Sequence, residues 1–198
     1  MKPKCFSPNA LRKLAWIAAA GLLAGQAFAA PPSSKQGKMI EKGRYLVSTS
    51  GCVDCHSPWK MGPNGPEPDT SRHLSGHPET LQMPPAPVLQ DGQWLVTIGN
   101  TNTAFAGPWG VSFTANLTPD DETGLGKWTA EDFKATIRTG RHMGRGRPVL
   151  PPMPIMVYNN FTDQDLEAIF AYLRTIPAIK NRVPEPRPPM SKPEAAGK

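Results

Sequence analysis

The sequence predicts an all-α domain in which a few helices are separated by a long, loop-rich region. Three segments carry apolar residues at helical spacing: residues 37–49, the stretch after Thr129 and the stretch after Thr162. Between the first two, residues 57–128 show no sustained period and hold many Pro, Gly, Asn and Asp residues. A loop of this length is unusual in a compact domain, which indicates that it wraps over something or serves a function. With 24 Pro and 18 Gly among 198 residues, the chain buries less apolar side chain than its length suggests, and a bound cofactor would complete the core.

The first helix is predicted over residues 37–49. Its spacing places Met39 or Ile40, Gly43, and the pair Leu46 and Val47 on one face. In the region that follows, residues 93–98 form the one plausible short strand.

The two later helices have the same start signal. Thr129 is followed by Asp132, and Thr162 by Asp165, so each threonine is a predicted N-cap with a carboxylate three positions on. The middle helix is expected to end at Thr139-Gly140. The last helix carries an apolar stripe, Leu166, Ile169, Phe170 and Leu173, before Pro177 stops it.

The N-terminus has the pattern of an export signal. Basic residues precede an apolar stretch over residues 14–23, and Ala27-Phe28-Ala29 follows as a cleavage site of small residues. The apolar stretch is short for a membrane span, so we expect cleavage after Ala29, a periplasmic location and no stable membrane insertion. Removal of residues 1–29 leaves 18 basic and 16 acidic residues, a formal charge of +2, which argues against a nucleic-acid partner.

Cys52-Val53-Asp54-Cys55-His56 has the Cys-x-x-Cys-His pattern of c-type haem attachment. Two cysteines on one helical turn reach the two vinyl groups at one edge of the macrocycle, and the adjacent His56 points its ring nitrogen at the iron. A thioredoxin-like redox pair would need a β-α-β context, and a zinc site would need further ligands at the right spacing. The pattern therefore predicts one covalently attached haem c with its iron.

The sixth iron ligand decides what such a haem does. A methionine opposite the histidine fills the coordination sphere and suits electron transfer, whereas an open position suits an enzyme or a sensor. The candidates are Met61, Met83, Met143, Met153 and Met156, with His73, His77 and His142 as rivals. Met153 is favoured because it lies between prolines in Leu150-Pro151-Pro152-Met153-Pro154, a stiff segment that presents a side chain at low entropic cost. Met156 is not flanked by prolines in this way and remains the first alternative.

The order of these features resembles the class I cytochrome c family: a helix, the attachment motif, a wrapping loop, a middle helix, a methionine-bearing loop and an amphipathic last helix. Within that family the chain resembles periplasmic monohaem cytochromes related to the haem subunits of bacterial membrane-bound dehydrogenases. The shared stretches are Asn116-Leu117-Thr118-Pro119-Asp120, Thr123-Gly124-Leu125-Gly126, Met153-Pro154, and the segment from Asp165-Leu166 to Tyr172-Leu173. The resemblance covers residues 38–183. The chain departs from the family in two ways: it has a long insert, residues 57–128, and it has a single attachment motif.

The resemblance implies a cytochrome c-like fold with three to five helices around the haem and a long loop insert. It makes Cys52 and Cys55 the attachment sites, His56 the proximal ligand and Met153 the distal one. The implied organisation is a signal peptide (1–29), a flexible leader (30–36), a cytochrome c domain (37–183) and a flexible tail (184–198).

The resemblance also carries two local expectations. Gly43 and Tyr45 or Leu46 are expected to cross the last helix near Phe170 and Leu173. A proline carbonyl, Pro63 in preference to Pro58, is expected to accept the His56 ring N–H.

The predicted function is electron transfer by a monomer between a donor and an acceptor redox protein, with no catalysis of its own. The alternatives are a haem-bearing subunit of a dehydrogenase complex, and an enzyme or sensor with a labile sixth ligand.

Three further groups have open roles. The first group is a basic cluster, Arg138, Arg141, Arg145 and Arg147. For one or two of these arginines we favour ion pairs with haem propionates over a docking patch or a solvated surface. Packing over the haem edge is favoured over partner docking for the insert aromatics Trp94, Phe105, Trp109 and Phe113. A solvated turn is favoured over a calcium site for Asp120, Asp121 and Glu122.

Overall fold

The computed structural model of the protein describes residues 34–87 and 93–189. Within them the α-helices are α1 (Ser34–Thr49), α2 (Cys52–His56), α3 (Ala130–Thr139), α4 (Ile155–Tyr158) and α5 (Asp163–Leu173). Short 3-10 turns cover Thr70–Arg72 and His142–Gly144. The predicted signal peptide, the leader up to residue 33 and the tail from residue 190 lie outside the described residues. None of the described helices is both long and apolar enough to cross a membrane.

The predicted helix boundaries are confirmed at both capped helices. Thr129 accepts a hydrogen bond from the Asp132 backbone N–H, while the Asp132 carboxylate accepts one from the Thr129 N–H. Thr162 and Asp165 form the same reciprocal pair at the start of α5. α3 ends at Thr139 and is capped by Gly140, whose φ of 64° is the left-handed conformation that glycine adopts at low cost. α1 begins three residues before the predicted position, at Ser34.

α1 and α5 cross in close contact, as expected from Gly43. A Cβ atom built on Gly43 would lie 1.8 Å from the Ala168 carbonyl oxygen and 2.9 Å from the Tyr172 Cβ. The backbones therefore approach more closely than any residue with a side chain would allow. Beside this crossing the Lys42 ammonium lies 2.6 Å from the Asp165 carboxylate. Buried residues of both helices form the main core: Val47, Leu166, Ile169, Phe170 and Leu173, with Leu74, Leu125 and Ile137.

Short strands in the insert correct the prediction of an all-α fold. β1 (Trp59–Gly62) and β2 (Gly65–Pro68) form one antiparallel hairpin, with Trp59 opposite Pro68 and Gly62 opposite Gly65. β3 (Thr97–Ile98), β4 (Ala104–Gly107) and β5 (Gly110–Phe113) form a second antiparallel sheet in that order. The predicted strand over residues 93–98 is reduced to its last two residues. Strands of two to four residues are too short to show a period of two in the sequence.

The C-terminal segment continues on the domain beyond residue 183. The Val111 N–H donates to the Arg187 carbonyl and the Arg187 N–H to the Val111 carbonyl, both at 2.9 Å. Asn181 is buried, and its side-chain NH₂ donates to the carbonyls of Ser75 and His77 at 2.7 and 2.9 Å. Residues 184–189 thus lie against the insert instead of leaving it.

Candidate functional site

A cavity of about 1060 Å³ lies between the motif helix, the insert, the segment around Met153 and the C-terminal segment. Cys52, Cys55, His56 and Met153 all line it, so the four site residues predicted from the sequence share one space. Apolar side chains supply much of the wall, among them Val47, Phe113, Leu125, Phe133, Ile137 and Leu166. A large, mostly apolar space with a few convergent polar groups is the setting in which proteins hold a cofactor.

α2 presents the two cysteines to the cavity. Gly51 precedes the helix with a φ of 77°, which lets the chain turn directly from α1 into α2. The cysteines are not joined in a disulfide. Burial raises the pKa of Cys52 to about 11, against an opposing hydrogen bond with Tyr158, and burial also raises the pKa of Cys55. Both thiols are therefore protonated at neutral pH, which is unlike the thiolates of redox pairs and zinc sites.

His56 is buried and oriented by the backbone of the insert. Its Nδ1 lies 2.8 Å from the Ala115 carbonyl oxygen; since a carbonyl only accepts, Nδ1 carries the proton and Nε2 keeps its lone pair. Burial lowers the pKa of His56, although the bond to Ala115 opposes that shift. A neutral imidazole whose other nitrogen is fixed by a carbonyl is the usual form of a metal-binding histidine.

The prediction that a proline carbonyl holds His56 is wrong. The Pro58 carbonyl accepts the Asp69 N–H at 2.7 Å, and Pro63 lies in the turn between β1 and β2. The acceptor comes from residue 115 because the insert closes on itself and returns the chain beside the motif. No signal in the local sequence links residues 59 positions apart.

Two of the rival methionines lie away from the cavity on the surface. Met156 is 90% exposed, and Met61 is 78% exposed. Met83 packs against the cluster of Ala104, Val111 and Phe113. Met153 lines the cavity, and so does Met143, whose φ of 51° is unusual for a residue with a side chain.

One of the three rival histidines lines the cavity. His77 is buried with both ring nitrogens in hydrogen bonds, to the Thr103 hydroxyl at 2.9 Å and to the Leu81 carbonyl at 3.1 Å. His73 lies outside the cavity wall. His142 is in the wall and meets the Trp128 ring edge-on, with ring centres 4.8 Å apart.

The basic cluster separates into different roles. Arg138 donates to the Phe161 carbonyl and the Asp163 carboxylate, both at 2.7 Å, and so joins α3 to the start of α5. Arg147 lies at the cavity wall, 3.7 Å from the Glu185 carboxylate. Arg182, which the sequence did not single out, also lines the cavity. Its backbone N–H donates a hydrogen bond to the Glu79 carboxylate.

The structure also shows where the insert aromatics and the acidic residues around Asp120 lie. Phe105 and Phe113 are buried and line the cavity, whereas Trp94 is 69% exposed. Asp120 accepts hydrogen bonds from the Thr123 backbone and hydroxyl, which makes it part of a turn. Across residues 34–87 and 93–189, no three His, Cys, Asp or Glu side chains are grouped to hold a metal ion by themselves.

Comparison with known proteins gives one family and a consistent set of relatives. The model of the cytochrome c family matches residues 40–177. The chain is 27% identical over 161 residues to the fructose dehydrogenase cytochrome subunit of Gluconobacter japonicus, covering 78% of this chain and 26% of that protein. It is 26% identical over 178 residues to the cytochrome c subunit of the quinone alcohol dehydrogenase of Gluconobacter oxydans, covering 88% and 30%. It is 26% identical over 145 residues to a diheme cytochrome c-type protein of Cereibacter sphaeroides, covering 73% and 38%. The chain thus spans well under half the length of these relatives.

Proposed function

The chain belongs to the cytochrome c family, and from that premise we propose that it is an exported cytochrome with one haem c that carries one electron between redox proteins of the periplasm. The proposal rests above all on one observation: Cys52, Cys55, His56 and Met153 line the same cavity. Haem c supplies the one-electron chemistry of its iron when it is bound. The protein supplies attachment, ligands and a mostly apolar cavity.

Each site residue has a role that its surroundings support. Cys52 and Cys55 would form the two thioethers, since α2 presents both side chains to the cavity. His56 would bind iron through Nε2, because Ala115 holds Nδ1. Met153, which lines the same cavity, would supply the sixth ligand. Arg147 and Arg182 are the cavity-wall arginines that would pair with propionates, since such buried anions need cationic partners.

Visible spectroscopy of the holoprotein tests the proposal. Oxidised wild type should show the sulfur-to-iron charge-transfer band, and reduced wild type should not bind carbon monoxide readily. Met153→Ala should lose the band and bind carbon monoxide.

Two matched variants make the test specific. Met156→Ala removes a methionine three residues away that points into solvent, so the band should remain. Met143→Ala removes the other methionine of the cavity wall. If Met143→Ala loses the band and Met153→Ala keeps it, Met143 is the sixth ligand and Met153 is not. A wild type without the band that binds carbon monoxide readily would favour the enzyme or sensor instead.

A second candidate function is that of a haem-bearing subunit in a dehydrogenase complex. It is favoured by the relatives, two of which are named as cytochrome subunits of dehydrogenases. Gel filtration of the protein from its native host separates the two functions. A shuttle elutes as a monomer of the mature chain, whereas a subunit co-elutes with a large partner. Mass spectrometry of the same sample checks the predicted cleavage after Ala29.

A further inference from the structure

Ser112, in the second strand of the β4–β5 hairpin, joins the insert to the segment that carries Met153. Ser112 is buried and forms part of the cavity wall. Its hydroxyl donates to the Pro151 carbonyl oxygen at 2.6 Å. This acceptor lies two residues before Met153, so the bond acts directly on the proposed ligand segment.

The hydrogen bonds around Ser112 form a directed chain. The Trp109 indole Nε1–H donates to the Ser112 oxygen at 3.2 Å. The Ser112 hydroxyl has one hydrogen; the Phe105 carbonyl is 3.4 Å away and the Pro151 carbonyl 2.6 Å, so the hydrogen goes to Pro151. Trp109 donates to Ser112, and Ser112 donates to Pro151. The indole donor polarises the hydroxyl and strengthens its bond to the carbonyl.

The Met153 segment has few other attachments of this kind. Three of residues 150–154 are prolines and lack a backbone N–H. Among the hydrogen bonds of the described residues, Ser112–Pro151 is the one that ties residues 150–154 to a distant part of the chain. Residues on either side of this segment have their own hydrogen bonds. The Val149 N–H donates to the Gly140 carbonyl, and the Tyr158 hydroxyl donates to the Ser50 carbonyl.

The hairpin is itself held from its other side. Val111 and Arg187 exchange two backbone hydrogen bonds. The Arg187 guanidinium lies 5.6 Å from the centre of the Phe113 ring and donates to the Met83 carbonyl at 3.0 Å. Gly110 fits this contact closely, because a Cβ there would lie 2.1 Å from the Arg187 carbonyl oxygen. The hairpin is therefore a fixed support between the C-terminal segment and the Met153 segment.

We propose that Ser112 is a positioning residue for the sixth ligand, and that the insert hairpin serves to hold the Met153 segment against the iron. This inference rests on the proposed function, with Met153 as the ligand. Displacement of Met153 by another ligand requires its segment to move away, and that movement breaks the Ser112–Pro151 bond. The bond therefore stabilises the closed, methionine-bound state over the open one.

Carbon monoxide titration of the reduced holoprotein measures this preference, because carbon monoxide binds after Met153 has left. Ser112→Ala leaves the Pro151 carbonyl and the Trp109 N–H without their hydrogen-bond partner. We expect its apparent carbon monoxide affinity to rise by roughly five- to tenfold, the effect of one such bond on an equilibrium. Trp109→Phe, which keeps a ring and loses the donor, should shift the affinity in the same direction by a smaller factor.

Ser75→Ala is the matched control. Ser75 is another buried serine whose hydroxyl donates to a backbone carbonyl, that of Arg72 at 2.9 Å, away from the Met153 segment. Its carbon monoxide affinity should equal that of the wild type. If Ser75→Ala and Ser112→Ala raise the affinity equally, the effect is general loosening and the inference is wrong.

The outcomes also separate this inference from the proposed function. If Met153→Ala removes the charge-transfer band while Ser112→Ala leaves the carbon monoxide affinity unchanged, Met153 remains the ligand and only the role of Ser112 is refuted. If the wild type never shows the band, the proposed ligand set fails, and the role of Ser112 fails with it.

Discussion

Replacing Gly43 by alanine places a methyl group inside the crossing of α1 and α5. The added Cβ would lie 1.8 Å from the Ala168 carbonyl oxygen, where real Cβ contacts stay above 3.0 Å. The obstacle is a helical carbonyl, which cannot rotate away, so the helices must separate by more than 1 Å. Overpacking of this kind costs about 3 kcal/mol. Alanine returns about 1 kcal/mol through its better helix propensity. The net loss in the free energy of unfolding is therefore about 2 kcal/mol.

Thermal unfolding of the holoprotein, followed by far-UV circular dichroism, measures this loss. A destabilisation of about 2 kcal/mol lowers the Tm of a domain of this size by about 4–8 °C. Gly99→Ala is the control, since the nearest atom there is the Met83 methyl at 3.0 Å, the end of a flexible side chain. A Gly43→Ala protein that melts at or above the wild-type temperature would refute the close crossing of α1 and α5.

Three further changes test other parts of the fold. Thr162→Ala removes the N-cap of α5 and should cost about 1 kcal/mol in urea denaturation, whereas Thr162→Ser should keep most of that stability; equal losses in both would argue against the capping role. Hydrogen bonds from Ser71, with smaller contributions from Arg72 and Lys60, lower the pKa of Asp69 from 3.8 to about 2, so its stabilisation is present above pH 4 and disappears as the pH falls toward 2. Urea midpoints of Asp69→Asn should therefore lie below wild type at pH 7 and coincide with it near pH 2, and a gap that persists at pH 2 would contradict this. Asn181→Ala leaves two buried carbonyls and the Glu79 N–H unpaired and should cost about 3 kcal/mol in urea denaturation, while the exposed Asn160→Ala should change little; similar values for both would count against the buried network.

Helices α3 and α5 were predictable because their determinants are local. An N-cap and its carboxylate lie within four residues, and an apolar stripe within about ten, so the relevant contacts are present in the sequence pattern. The helix crossing at Gly43 was expected from the resemblance to the cytochrome c family, and a glycine there lets the two helix backbones approach closely. The strands of the insert were not predictable, because each one is stabilised by a partner strand and is too short to show its own period.

The candidate site likewise has parts that depend on neighbouring residues and parts that depend on distant chain segments. The attachment motif needs only five consecutive residues, and the proline-flanked Met153 needs only its neighbours, so both were predicted from the sequence, and the structure brings both to one cavity. The choice between Met153 and Met156 as the residue facing the cavity depended on which side of a short turn each occupies. The remaining acceptors and cations were set by distant chain segments: Ala115 for His56, and Arg182 for the cavity wall.

The sequence by itself determined the chemistry that the site can perform, through the residue types of the motif and the spacing that presents them together. The tertiary structure alone decided how those groups are held. It places the insert between the motif and the Met153 segment, returns residue 115 to His56, and brings Ser112 to Pro151. The physical reason is that covalent spacing acts over one helical turn, whereas hydrogen bonds between residues 39 or 59 positions apart exist only after the chain has closed around its core.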